Sequence, residues 1–125
     1  MSSRILAVDD EIDVLLIVKT ALQSENYQVL TATNGPDAIN ICREQPPDLI
    51  LLDVKMAGMS GFDVMRELKS DDRTSTIPII MLTGLSERKK IQEALMKGSD
   101  YYIVKPFEMH ELLAKISDVL AHHGR

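Results

Sequence analysis

An α/β fold, with a parallel sheet covered by helices on both faces, is the class this sequence predicts. Three observations predict it. Five short apolar runs recur along the 125 residues, segments with helical periodicity fill the intervals, and turn-forming residues stand at the junctions.

The first run, residues 5–8 (ILAV), is continuously apolar, as strands covered on both faces are. A helix follows, read from the stripe Ile12, Leu15, Leu16 and Leu22. The second run, residues 28–31, alternates through Tyr27, Val29 and Thr31 and is therefore placed at a sheet edge. Asn34-Gly35 precedes a helix carrying Ala38, Ile39 and Cys42, and Pro46-Pro47 ends it. Residues 49–52 (LILL) form the third strand, and the breaks at residues 58–61 lead into a helix bearing Met65 and Leu68. The fourth run, residues 77–82, ends before Gly84; a helix with Ile91, Ala94 and Leu95 follows, closed by Gly98. Residues 101–104 (YYIV) make the fifth strand. The last helix has the clearest period, with Met109, Leu112, Leu113, Ile116, Val119 and Leu120 spaced by three and four. Right-handed crossovers follow from chain chirality, but periodicity alone leaves the strand order open. With no repeat, low-complexity tract or linker, residues 1–125 read as one domain.

Composition narrows the function. A net charge of −5 argues against a domain that coats nucleic acid or an anionic membrane, so neither is expected as a direct partner. The N-terminus reaches Asp9 and Asp10 too early for a secretory signal, and the longest uncharged run, 13 residues, is broken by Pro78 and Gly84. The single cysteine, Cys42, has no internal partner and fits a reducing compartment. A cytoplasmic protein is expected.

Chemistry gathers at the ends of the apolar runs. The first run ends in Asp9-Asp10, the third in Asp53, the fourth in Thr83-Gly84 and the fifth in Lys105-Pro106. In an open parallel sheet, ligands bind outside the carboxyl ends of the strands. Each residue has a bland reading: Asp9 and Asp10 as helix caps, Asp53 as a turn residue, Thr83 as strand filler, Lys105 as a solvated lysine. Together they place three carboxylates on one edge, a repulsion that calls for a cation. Mg²⁺ prefers oxygen ligands and is held by one or two carboxylates plus phosphate, with Mn²⁺ as a substitute; no Cys/His set for zinc exists. With the charge compensated, Asp53 can act as a nucleophile on phosphorus. Thr83 and Lys105 can then hold phosphoryl oxygens.

From residue 5 to about residue 120 the chain resembles the receiver domain of two-component response regulators, including the single-domain chemotaxis type. The resemblance rests on "ILAVDDE", "LILLDVKMAGMSG", "IPIIMLTG" and "YYIVKPF", at intervals of 44, 30 and 22 residues from Asp9 to Asp53, Thr83 and Lys105. It implies a flavodoxin-like three-layer sandwich with five parallel strands in the order 2-1-3-4-5. It implies that Asp53 accepts a phosphoryl group from a sensor histidine kinase or a histidine phosphotransfer protein. Asp10 would ligate Mg²⁺ directly, Asp9 mainly through water, and the Lys55 backbone carbonyl would complete the protein ligands. Thr83 and Lys105 would bind the phosphoryl group, the Lys105-Pro106 bond would be cis, and Tyr102 would be the aromatic switch. Ala57 and Ser60 depart from the family, which often has Pro and Asp there; the departure bears on loop rigidity.

The resemblance further implies that the surface of the helix after the fourth strand, the fifth strand and the last helix changes on phosphorylation. Here it would include Arg88, Lys89, Lys90, Asp100, Tyr102, Glu111 and Lys115, although a charge run such as 88–90 is by itself an ordinary solvated face. A monomer is expected, with phosphorylation-linked dimerisation left open because Tyr101 replaces an acid common among dimerising relatives. Lys55 and Leu85 flank the phosphate, and an apolar Leu85 implies no fast autodephosphorylation. Met65, Met81 and Met109 read as core, Cys42 as a buried inert thiol, and His110, His122 and His123 as neither metal ligands nor phosphodonors.

A haloacid-dehalogenase-type phosphatase would want Asp-x-Asp, whereas Lys55 stands two residues after Asp53. A flavin module would want a Gly-rich phosphate loop where Asp9-Asp10-Glu11 stands. A phosphorylation-independent interaction module is the remaining alternative. Output is expected from an effector protein or a C-terminal domain beyond this sequence. The chain is a stand-alone receiver, a relay intermediate or the N-terminal part of a longer regulator, and the initial Met fits a natural N-terminus.

Overall fold

The computed structural model describes residues 2–84 and 101–123. The elements are β1 (Arg4–Val8), α1 (Ile12–Ser24), β2 (Gln28–Ala32), α2 (Gly35–Glu44), β3 (Leu49–Asp53), α3 (Gly61–Lys69), β4 (Ile79–Thr83), β5 (Tyr101–Val104) and α4 (Met109–His123). The strands form one parallel sheet in the order β2-β1-β3-β4-β5. The fold class expected from the sequence, with the order 2-1-3-4-5, is the one observed. The helix expected around Ile91, Ala94 and Leu95 and its Gly98 stop lie outside the described residues.

β1, β3 and β4 are central, and their residues are almost entirely buried, which is why their sequences do not alternate. Odd and even positions feed two separate core layers. Leu6, Val8, Ile50, Leu52, Ile79 and Met81 pack with Ala38, Cys42, Val64 and Leu68 from α2 and α3. Ile5, Ala7, Leu49, Leu51, Ile80 and Leu82 pack with Leu15, Val18 and Leu22 of α1 and Leu112, Ile116 and Val119 of α4. β2 lies at one edge, as expected, but its exposure does not alternate: Gln28 and Thr31, on opposite faces of the strand, are both exposed, so Thr31 departs from the expected stripe with Tyr27 and Val29.

Two local readings need correction. In α1 the inward stripe is Leu15, Val18 and Leu22, while Ile12 and Leu16 of the expected stripe are exposed (64% and 56%), as is Ile17. The helix is apolar around more than half its circumference, so its period alone did not choose the buried side. β4 begins at Ile79, because Pro78 has no N–H for the ladder; its carbonyl still accepts from Ile50 N at 3.0 Å.

Helix starts follow local chemistry. Asn34 caps α2 by accepting from Asp37 N, with Pro36 in the first turn, and Ser60 and Asp63 form a reciprocal capping box on α3. α1 ends in a turn at Asn26, whose φ of 68° suits a short polar side chain. Cys42 is fully buried and its thiol is pushed up to about 12 by burial. Met65 and Met81 are core residues, and Met109 packs on the α1/α4 layer. Among the described residues, no helix is long and apolar enough to cross a membrane.

Candidate functional site

Four strands deliver the site. β1 runs into Asp9 and Asp10, β3 ends on Asp53, β4 ends on Thr83, and β5 runs into Lys105. All four are parallel and consecutive in the sheet, so their carboxyl ends open on one edge. Asp9 and Asp53 have the parity of the α1/α4 face, whereas Thr83 shares the other face with Met81, whose register partner is Tyr102.

Neither first-strand acid serves as the α1 cap. Glu11 is the N-cap residue and makes no side-chain cap bond; Asp9 Oδ1 instead accepts from Glu11 N at 2.9 Å. Asp9 is 3% exposed and Asp53 5%, while Asp10 faces solvent. One oxygen from each lies within 4.8 Å of the others. Among the described residues, each carboxylate is also fastened once. Besides the Asp9 bond, Ala57 N donates to Asp10 Oδ2 at 3.0 Å, and Lys105 Nζ donates to Asp53 Oδ1 at 2.5 Å.

The electrostatics are unbalanced. Burial pushes the Asp53 carboxyl above its ordinary value; the hydrogen bond and charge of Lys105 pull it down, and Asp9 and Asp10 push it up again. Among the described residues, Asp9 Oδ2 is buried and accepts no hydrogen bond. An unpaired buried acceptor costs about 1–3 kcal/mol, and more when charged. Three converging carboxylates with one orphaned oxygen form the all-oxygen donor set of a hard divalent cation, so the residues present fit Mg²⁺.

The remaining site residues divide. Thr83 is buried, its hydroxyl donating to Gly84 O at 3.1 Å, and its carbonyl accepts from Lys105 N at 2.6 Å. The Lys105-Pro106 peptide is cis. Tyr102 is half-buried against the α2/α3 layer. The Lys55 side chain is exposed in the loop after β3. Glu111 Oε1 accepts from Glu108 N in the first turn of α4, and Lys115 Nζ lies 5.3 Å from the Tyr101 ring centroid. Leu85, Arg88, Lys89, Lys90 and Asp100 lie outside the described residues.

Sequence reading missed two contributors. Gly61, taken only as a breaker, starts α3 where a Cβ would collide with the Asp53 carbonyl oxygen, and its N–H donates to Val54 O at 2.9 Å. The Ala57 N–H at Asp10 left no signal in residue type, because a backbone donor belongs to nearly every residue.

Known proteins match this arrangement. Residues 5–117 match the family described as the response regulator receiver domain. The chain is 42% identical over 120 residues to the phosphate regulon transcriptional regulatory protein PhoB of Pseudomonas aeruginosa, covering 96% of this chain and 52% of that one. It is 44% identical over 117 residues to the probable transcriptional regulator ycf27 of Porphyra purpurea, covering 94% of this chain and 47% of that one. It thus spans about half the length of these curated relatives. Among solved structures, the chemotaxis protein CheY4 of Vibrio cholerae has a TM-score of 0.89 at 33% identity, covering 96% of this chain and all of that one. Sheet order and a match over most of the sequence agree, and this chain belongs to the response regulator receiver domain family.

Proposed function

We propose that this chain is a phosphorylation-activated signalling receiver in which Asp53 accepts a phosphoryl group from a sensor histidine kinase or a histidine phosphotransfer protein. One observation carries the reading. The Asp53 carboxylate, bonded to Lys105, lies within a three-acid cluster in which a buried oxygen of Asp9 has no partner among the described residues. Residues 1–125 act as one receiver unit, and the only reactions assigned to it are its own phosphorylation and autodephosphorylation.

Asp9, Asp10, Asp53 and the Lys55 carbonyl would hold Mg²⁺, or Mn²⁺ in its place, which supplies charge neutralisation and polarisation of a phosphoryl oxygen. Asp53 supplies the nucleophile. A carboxylate oxygen forms the O–P bond as the P–N bond of phosphohistidine breaks, and the imidazole nitrogen keeps the electron pair. Lys105, already on Asp53 Oδ1, transfers its hydrogen bond to a phosphoryl oxygen. The Thr83 hydroxyl, now on Gly84 O, turns to another. That movement makes room on the shared sheet face for Tyr102 and shifts the balance between two packings.

Position supports an assignment of surfaces to partners. The exposed apolar face of α1, with Ile12, Leu16 and Ile17, opens directly after Asp10 and Glu11, and we assign it to the donor protein. The edge of the molecule at β5 and α4, with Tyr102, Glu111 and Lys115, is assigned to the effector or output domain, and so, from the resemblance alone, are Arg88, Lys89, Lys90 and Asp100, which lie outside the described residues. The site of action is the cytoplasm.

Intact mass after incubation with Mg²⁺ and acetyl phosphate tests the reading. One added phosphoryl group, absent without Mg²⁺ and in Asp53→Asn, is expected. No gain from acetyl phosphate or from a phosphohistidine protein overturns it in favour of a phosphorylation-independent interaction module.

A further inference from the structure

The three carboxylates are held by different kinds of donor. Asp53 is fastened by a side chain and Asp9 by its own turn, but Asp10 is fastened by Ala57 N at 3.0 Å, from the loop that follows Asp53. Asp10 is the exposed member of the cluster, whereas Asp9 and Asp53 are buried. Its order therefore depends on that donor more than the order of buried Asp9 or Asp53 depends on theirs. The donor exists only because residue 57 is not proline, the residue often found there in the family, which has no N–H. Downstream, the loop is anchored by Gly61 N on Val54 O and by the Ser60–Asp63 capping box, so the Ala57 amide is carried between fixed points.

We infer that the Ala57 N–H is a positioning group for the cation site, holding the Asp10 carboxylate by Oδ2 so that the carboxylate is set for a divalent cation before one binds. This deepens the reading of Asp9, Asp10 and Asp53 as a Mg²⁺ site and rests on it. Groups that orient a metal ligand typically contribute roughly 10–100-fold in affinity, and an exposed ligand belongs at or below the lower end.

The test is a Mg²⁺ titration followed by calorimetry and by amide NMR, on wild type, Ala57→Pro, Ala57→Ser and a chain with an ester in place of the Ala57 amide. The ester deletes the N–H without a proline ring, so it stands if Ala57→Pro misfolds. Expected are about 5–10-fold weaker binding in the proline and ester chains and an unchanged affinity in Ala57→Ser. In an Asp10→Asn background the ester should lose most of its effect, which a general loosening of the loop would not reproduce. Equal affinities of wild type and ester chain, or an ester effect undiminished without Asp10, overturn the inference and leave the Mg²⁺ site standing. A wild-type chain that does not bind Mg²⁺ overturns both.

Discussion

Burial raises the Asp53 carboxyl and Lys105 restrains it, so replacing either residue has a measurable consequence. A carboxyl raised in the folded chain binds its proton more tightly there than when unfolded, so stability falls as pH rises through that interval. At pH 7 without divalent cations, ionised Asp53 is thus a cost. Asp53→Asn should melt higher than wild type by on the order of 3 °C in chelator, with the difference closing near pH 3, as calorimetry would show. Lys105→Met removes the restraint, and the Asp53 carboxyl should titrate higher still in carbon-detected NMR; no upward movement would mean that Lys105 does not compensate the cluster. The residue scale was largely legible: Asp9, Asp10, Asp53, Thr83 and Lys105 were marked by their positions after apolar runs. The unpaired Oδ2 of Asp9 was not, because hydrogen-bond saturation depends on neighbours distant in sequence.

Elements act through how their ends are tied. The connection from α3 to β4 is fastened through Asp71, which accepts from the Arg73 side chain at 2.8 and 3.1 Å, from Arg73 N at 2.9 Å and from Arg43 of α2 at 3.0 Å. These bonds, Arg73 foremost, hold its carboxyl well below the usual carboxylate range. A depressed carboxyl contributes stability that is complete above the ordinary value, about pH 4, and drains as pH falls through the folded one. Asp71→Asn should therefore melt below wild type at pH 7, with the gap narrowing in acid. α1 carries a different prediction. Ile12→Ser with Leu16→Ser should slow phosphorylation by a protein donor about tenfold, a loss of roughly 1.4 kcal/mol in the transfer step, and leave the acetyl phosphate rate unchanged. Equal slowing with both donors would place the defect in the site rather than in docking. Which side of α1 faces outward was illegible, since Leu15 and Leu16 are equally apolar and only the sheet beneath selects between them.

At the scale of the whole molecule, a cation that binds the folded chain alone raises its stability by mass action, about 2.7 kcal/mol at a hundredfold excess over Kd. Mg²⁺ should raise the melting temperature of wild type, chelator should reverse it, and Asp10→Asn should blunt it; a melting curve indifferent to Mg²⁺ would count against the site. Thr83 and Tyr102 have the parity of the α2/α3 face, Asp9 and Asp53 that of the opposite face, and Lys105 touches both sides, through its N–H on the Thr83 carbonyl and its Nζ on Asp53 Oδ1.

The α/β class, the central strands and the acids at their ends are properties of the sequence itself. Burial on both faces demands continuous apolar runs, and a strand's next residue must emerge at its carboxyl edge. Strand order required either the resemblance or the structure, since local periodicity carries no information on which strands are neighbours. The tertiary structure alone decided that Ala57 holds Asp10, that Gly61 closes on Asp53 and that Leu15 rather than Leu16 enters the core. Backbone donors, steric contacts and the choice of a helix face are set by packing between distant segments, not by the identity of the residues that take part.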